Sequence, residues 1–238
     1  MIEQYFKWHS PILGRESEML VFGDRGYPII IFPTSMGRYY QYKDFKLMDS
    51  ISQYIDNGLV KAYCVDSIDE ESLYNKKVHP SVRVHNHTIY DHFIHDEIVP
   101  RTMHETGHSK VAVAGCSFGG YHSANFAFRY PEKVGYLFSM SGSFNIKPQM
   151  DTYYDNQVYF NNPPDYLPAL ENPALYDIGI VLGVGEHDIC LQANKQMSQI
   201  LQKKGVNHWL DVRIGAVHDW PIWREMFPNY ISQMKFEG

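Results

Sequence analysis

The stretch KVAVAGCSFGGYHSANFAFRYPEKV, residues 110–134, decides the fold of this chain. Its first half is a short, continuous apolar run of strand character, and its second half has the composition of a helix. Between them lies Gly115-Cys116-Ser117-Phe118-Gly119, a G-x-S-x-G pattern. Small residues crowd every tight strand-to-helix junction, so glycines alone would mean only a turn. A serine on such a turn, however, points its hydroxyl out above the sheet edge, where it can act as a nucleophile. The pattern is short enough to recur by chance, and its weight comes from what surrounds it.

Outward from this junction, short apolar runs alternate with segments of helical period. Strands are expected at 18–23, 28–33, 60–65, 110–115, 134–140, 178–184 and 208–214, and helices near 44–56, 81–104, 118–130, 190–204 and 220–235. From Pro28 onward the strand runs are mostly continuous rather than alternating, as strands covered on both faces require. This rhythm predicts an α/β protein with a mostly parallel central sheet and helices on both faces. The first two runs, separated only by Gly23-Asp24-Arg25-Gly26, read as a hairpin at the edge. Residues 143–171, rich in Pro, Asn and Tyr, lack a clean period and read as a small cap or pocket wall near the site.

Composition bounds the rest. The 238 residues suit one α/β domain spanning 1–238, with the insertion inside it. A net charge of −6 and a pI near 6.0 oppose a nucleic-acid role. No run of about eighteen apolar residues offers a membrane span, and the first twenty residues lack a secretory h-region. Cys64, Cys116 and Cys190 are few, odd in number and far apart, which suits free thiols in a cytoplasmic setting.

A nucleophile elbow fixes an order in the chain: serine, then an acid after a later strand, then a histidine after the last one. Asp188 follows the strand at 178–184 in Gly185-Glu186-His187-Asp188, and His218 follows the strand at 208–214. Of the histidines beyond Asp188, His208 sits at the entrance of its strand, the wrong end for a site at the carboxyl edge of a parallel sheet. A serine hydroxyl needs a base to take its proton as it attacks, which His218 would do; Asp188 would orient the imidazole. Glu186 is the reserve acid, ahead of Asp151 and Asp155.

Acyl chemistry of this kind also needs donors for an oxyanion. The backbone N–H of Phe118 is one candidate, and the loop Phe32-Pro33-Thr34-Ser35-Met36-Gly37-Arg38 supplies the other, with Ser35 ahead of Met36. Arg38, Tyr39, Tyr40 and Trp220 are candidate substrate contacts. The acidic run Asp66-Ser67-Ile68-Asp69-Glu70-Glu71 reads as a solvated loop with a helix cap in preference to a pocket wall.

Together FPTSMGRYYQYKDF, VDSIDEESLYN, GCSFGGYHSANFAFRYPEKVGYLFSMSGSFN, GEHD and HDWPIW resemble the esterase family of α/β hydrolases, the group of esterase D and the mycolyltransferases. The likeness runs from about residue 18 to the end, and its serine, acid and histidine fall on Ser117, Asp188 and His218. It implies the α/β-hydrolase fold and a serine hydrolase acting on carboxylic esters through an acyl-enzyme, with no cofactor and no metal. The expected partner is a small-molecule ester; no nucleic acid or membrane is expected, and a homo-oligomer stays open. The family's His-Gly pair after the third strand is replaced here by PTSMG.

Three alternatives stand beside this reading: an acyltransferase, a non-catalytic binding protein on the same scaffold, and a zinc hydrolase. The last would use His104-Glu105-Thr106-Gly107-His108, an H-E-x-x-H match. Both histidines of that motif must lie one turn apart on a continuous helix, and Gly107 reads instead as a helix C-cap. His85, His87, His92 and His95 read as a wet helix face rather than a metal cluster.

Overall fold

A computed structural model describes residues 1–236; the expected domain range of 1–238 extends two residues beyond them. One eight-stranded sheet forms the centre, in the order β1-β2-β4-β3-β5-β6-β7-β8. Its strands are β1 (Glu3–Ser10), β2 (Arg15–Phe22), β3 (Tyr27–Phe32), β4 (Val60–Val65), β5 (Val111–Cys116), β6 (Val134–Met140), β7 (Gly179–Gly185) and β8 (Trp209–Arg213). From β4 to β8 all neighbours are parallel, while β1 and β2 add an antiparallel edge.

The parallel strands alternate between two cores. Ile30, Val111 and Val113 face one layer, with Phe93, Ile98, Val99, Ala124, Phe126, Met197 and Leu201 from the helices α4 (Pro80–Phe93), α5 (Val99–Thr106), α6 (Phe118–Arg129) and α9 (Leu191–Lys204) and the turn between α4 and α5. Ile29, Ile31, Ala112 and Ala114 face the other, with Tyr42, Leu47, Ile55, Met226 and Phe227 from the short helices α1 (Gln41–Asp44), α2 (Leu47–Ser50) and α3 (Ser52–Asp56) and from α10 (Trp220–Ile231). All three isoleucines of β3 are fully buried, each worth about 1.5–3 kcal/mol relative to exposure. Burial on both faces is why these strands read as unbroken apolar runs.

Several expectations need correction. The edge hairpin is β1 with β2, closed by the turn after Ser10, and β2 pairs with β4 rather than with β3. The N-terminal strand escaped a search for continuous runs because it sits at an edge: only Phe6, Trp8 and Ser10 turn inward between exposed neighbours. The helix expected at 44–56 breaks at Lys46, which takes a left-handed φ of 60°. The helix expected at 81–104 is interrupted by a π-helical segment, Ile94–Ile98, which ends two residues before Pro100. Proline cannot donate to the preceding turn, and a widened turn accommodates the lost bond.

The segment 143–171 is a chain of short turns including α7 (Asn156–Phe160) and α8 (Pro163–Tyr166). Its Ile146, Met150 and Val158 pack with Leu73, Val84, Phe118 and Tyr121. Among the described residues no helix is long and apolar enough to cross a membrane.

Candidate active site

Each of the six parallel strands ends, at its carboxyl edge, in a residue of one polar assembly. Ser117 follows β5 directly, Ser141 follows β6, Asp188 and His218 lie beyond β7 and β8, and Ser35 and Asp69 lie beyond β3 and β4. This edge is where a parallel α/β sheet opens its crevice.

Ser117 sits between β5 and α6 at φ 56°, ψ −119°, a conformation that L-residues rarely adopt. The glycines around it permit the turn by close approach. A Cβ at Gly115 would stand 2.3 Å from the Gly119 backbone, and one at Gly119 would stand 2.2 Å from the Phe32 carbonyl. The G-x-S-x-G spacing is thus a packing requirement: any side chain at the flanking positions would push α6 off the end of β3.

The Ser117 Oγ lies 2.9 Å from His218 Nε2, and His218 Nδ1 lies 2.8 Å from Asp188 Oδ1. The loops carrying the acid and the imidazole are stitched together, since Glu186 N donates to Arg213 O and His187 N to Ala216 O. A Cβ at Gly185 would meet the Ala216 carbonyl at 2.4 Å, so glycine is needed there for the two loops to touch. Glu186, the reserve acid, is exposed and accepts from Gly215 N; Asp151 pairs with Lys76 and Arg83, and Asp155 caps α7.

Asp188 is 6% exposed. Burial pushes its carboxyl up, but hydrogen bonds from His218, the Ser141 hydroxyl (2.6 Å) and the Cys190 amide (2.7 Å) outweigh that and hold it below the usual carboxylate range. Ser141 in turn accepts from Trp223 Nε1 at 2.9 Å, and the Trp223 ring stands edge-on to His218 at 5.1 Å. Ser141 was not visible in the sequence as a site residue; its one signal is its place directly after a strand of the parallel set.

The loop after β3 has most of its amides committed. Thr34 N donates to Gln41 Oε1 at 2.9 Å, Met36 N to Asp69 Oδ2 at 2.9 Å and Gly37 N to Thr34 O at 2.8 Å. Among the described residues the amides of Ser35 and Phe118 make no hydrogen bond, and Phe118 opens α6, whose first-turn amides have no intrahelical acceptor. Arg38 is held by Asp66 and Glu18, both at 2.7 Å. Tyr39 and Tyr40 meet edge to face at 5.1 Å, and Trp220 stacks on Phe45 at 4.3 Å.

The acidic run after β4 is not a solvated loop. Asp66 and Asp69 are buried, and with Ser67 they bind the loop carrying Ser35: Asp66 takes Arg38 and the Tyr39 amide, and the Ser67 hydroxyl donates to Gly37 O. Nor do the four histidines of α4 and its continuation form one wet face. His87 is buried, with Nε2 2.8 Å from the Tyr121 hydroxyl, and burial holds its imidazole well below the ordinary value. The H-E-x-x-H segment does not lie on one helix: α5 ends at Thr106, Gly107 takes φ 74°, and Glu105 binds Lys61, Tyr63 and Arg101. Asp188, Cys190 and His218 are the one group of candidate metal ligands among the described residues, and they belong to the assembly above.

The α/β fold recurs in solved structures. A ferulic acid esterase superposes with a TM-score of 0.78 at 16% identity, covering 97% of this chain and 96% of that one. The ferulic acid esterase of the anaerobic fungus Anaeromyces mucronatus gives 0.74 at 16% identity over 98% and 90%. The S-formylglutathione hydrolase of Staphylococcus aureus gives 0.71 at 13% identity over 97% of each chain. No curated protein sequence matches the chain. The family model described as "Putative esterase" matches residues 14–234, nearly the full length. The chain belongs to this esterase family, on the α/β-hydrolase fold, and is a carboxylic ester hydrolase.

Proposed function

We propose that the chain cleaves esters as a serine hydrolase, with Ser117 as nucleophile, His218 as general base and acid, and Asp188 as the group that orients the imidazole. The reading rests on the unbroken hydrogen-bond line from Ser117 Oγ through His218 to Asp188. In the first step Ser117 Oγ bonds to the ester carbonyl carbon while its proton passes to His218 Nε2. The carbonyl oxygen becomes an oxyanion, which the amides of Phe118 and Ser35 bind at the positive end of α6. Collapse expels the alcohol, which takes the proton from His218 and leaves an acyl group on Ser117. Water then attacks the acyl-enzyme, gives its proton to His218, and releases the acid with Ser117 restored.

Asp188 stabilises the imidazolium that forms in both steps without taking a proton. Its low-lying carboxyl suits that role, because it stays ionised throughout. Tyr39, Tyr40 and Trp220 provide an aromatic rim for the substrate, and Arg38 shapes the rim through its bonds to Asp66 and Glu18. The relatives named for ferulic acid and S-formylglutathione suggest aryl esters and short acyl thioesters as first substrates to try. The three unpaired, buried cysteines fit a reducing compartment such as the cytoplasm.

A fluorophosphonate probe should label the wild-type protein and not Ser117→Ala, whose turnover of p-nitrophenyl acetate should fall by at least ~10³-fold. A chelator should leave wild-type turnover unchanged. Labelling that persists in Ser117→Ala would reject the assignment of the nucleophile.

A further inference from the structure

The oxyanion pocket of the mechanism above is built from two separate pieces of chain, the elbow at Phe118 and the loop after β3. One buried cluster touches both. Asp69, 1% exposed, accepts from the Met36 amide at 2.9 Å with one oxygen, and its other oxygen lies 3.2 Å from Nε2 of His122, 4% exposed. His122 is on α6, about one turn past the elbow. Its ring stacks on Phe32, the last residue of β3, at 5.7 Å and 12° between planes, and stands edge-on to Phe118 at 4.8 Å. Tyr74 repeats the arrangement, with its hydroxyl 2.9 Å from Ser35 Oγ and its ring edge-on to Phe118 at 5.1 Å.

We propose that Asp69 and His122 are positioning residues for the oxyanion pocket, their buried pair holding the Met36 amide out of the reaction so that Ser35 supplies the second donor. This deepens the serine-hydrolase reading and rests on it. Met36 is not glycine yet takes a φ of 58°, a conformation that persists only where the surroundings impose it. The bond from its N–H to a buried carboxylate is what imposes it here, since a charge-assisted hydrogen bond in a dry site is strong and directional. With Thr34, Met36 and Gly37 bound elsewhere, Ser35 has the one uncommitted amide of the four among the described residues. Without Asp69 the Ser35–Met36 peptide is free to turn and relieve Met36, and the register of the pocket is lost. His122 fixes the carboxylate that does this and ties it to the elbow.

The test uses Asp69→Ala and His122→Phe, the second of which keeps the stacked ring while removing Nε2. Each is assayed with p-nitrophenyl acetate, titrated with phenylboronic acid, and melted to establish that it is folded. Phenylboronic acid forms a tetrahedral adduct on a nucleophilic serine, so its inhibition constant reports on the oxyanion pocket directly. For Asp69→Ala the expected result is kcat lower by about 10- to 100-fold with KM within threefold, and a boronate inhibition constant raised in step with the fall in kcat/KM. His122→Phe should show the same pattern with a smaller loss.

A folded Asp69→Ala with kcat within twofold of wild type overturns the proposal, as does a loss of activity with boronate affinity unmoved. If Asp69→Ala does not fold, His122→Phe decides by the same two criteria. Fluorophosphonate labelling that persists in Ser117→Ala would instead strike the nucleophile assignment, so the two failures are distinguishable.

Discussion

Ser141 shows how much a single position can carry without touching substrate. It takes φ 54°, is fully buried, donates to Asp188 and accepts from Trp223. Two physical effects oppose each other here. The left-handed backbone favours glycine, whereas the hydroxyl satisfies an indole N–H and one carboxylate oxygen, Asp188 Oδ2, that would otherwise be buried without a partner. Ser141→Ala keeps the strain and loses both bonds, so it should cost about 2 kcal/mol of stability, while Ser141→Gly should recover about 1 kcal/mol of that. Neither variant removes the line from Ser117 to Asp188, and kcat should fall roughly tenfold in both because the carboxylate loses one of its anchors. Urea denaturation and steady-state kinetics on the pair check the two halves; equal stabilities for Ala and Gly would mean that the backbone strain is not real. Ser117 is the sequence-legible counterpart, since its glycine neighbours advertise the turn. Ser141 has no such neighbours on its N-terminal side, and its partners lie 47 and 82 positions away.

Among elements, the β1–β2 hairpin joins the parallel sheet through the antiparallel β2–β4 ladder, and one side chain from the facing helix layer gathers three of its donors. Glu97, in the π-helical segment between α4 and α5, accepts from Trp8 Nε1, the Ser10 hydroxyl and the Ile12 amide. The widened turn therefore matters to the edge of the sheet: it lies where a single carboxylate can gather three donors from the hairpin. Hydrogen bonds to a charged group are worth about 1.5–3 kcal/mol each, and truncation leaves partly buried donors unmet. Glu97→Ala should lower stability by about 2–3 kcal/mol and speed hydrogen exchange of the β1 amides. Exchange in β5 and β6 should keep pace only with the global loss. The same contrast explains why helix interruptions were hidden from the sequence. Apolar periodicity continues straight through residues 94–98, so the break is legible only as a proline, not as the turn it imposes.

For the molecule as a whole, the acid side of the stability curve follows from which carboxylates folding strengthens. Asp188 is held below its unfolded value, so its contribution is full above about pH 4, the ordinary aspartate range, and is lost as pH falls through the folded value. Asp165 and Glu105 act with the same sign, through Lys147 and Tyr154 in one case and Lys61, Arg101 and Tyr63 in the other, each against burial. Asp91 has the opposite sign: burial raises it despite Arg129, so the stability it confers is lost as pH rises through its folded value. Asp188→Asn removes the Asp188 contribution alone. The stability advantage of wild type over that variant should therefore hold level down to about pH 4 and shrink as pH falls further, measured by urea midpoints at each pH. A constant difference would mean that Asp188 is not favoured in its charged form.

What the amino-acid order determined by itself was local or serial: the alternation of apolar runs and helical segments, the glycine-flanked serine, and the succession of serine, acid and histidine at strand ends. These are legible because strand burial, turn sterics and chain order are written in neighbouring residues. The tertiary structure alone decided that the Met36 amide is spoken for, that Asp66 and Asp69 are buried braces rather than solvent-exposed charges, and that Ser141 anchors Asp188. Each of those depends on a side chain meeting a group more than 25 positions away. No local pattern encodes such a meeting, because it is set by how six strands register against one another and bring their following loops to a common edge.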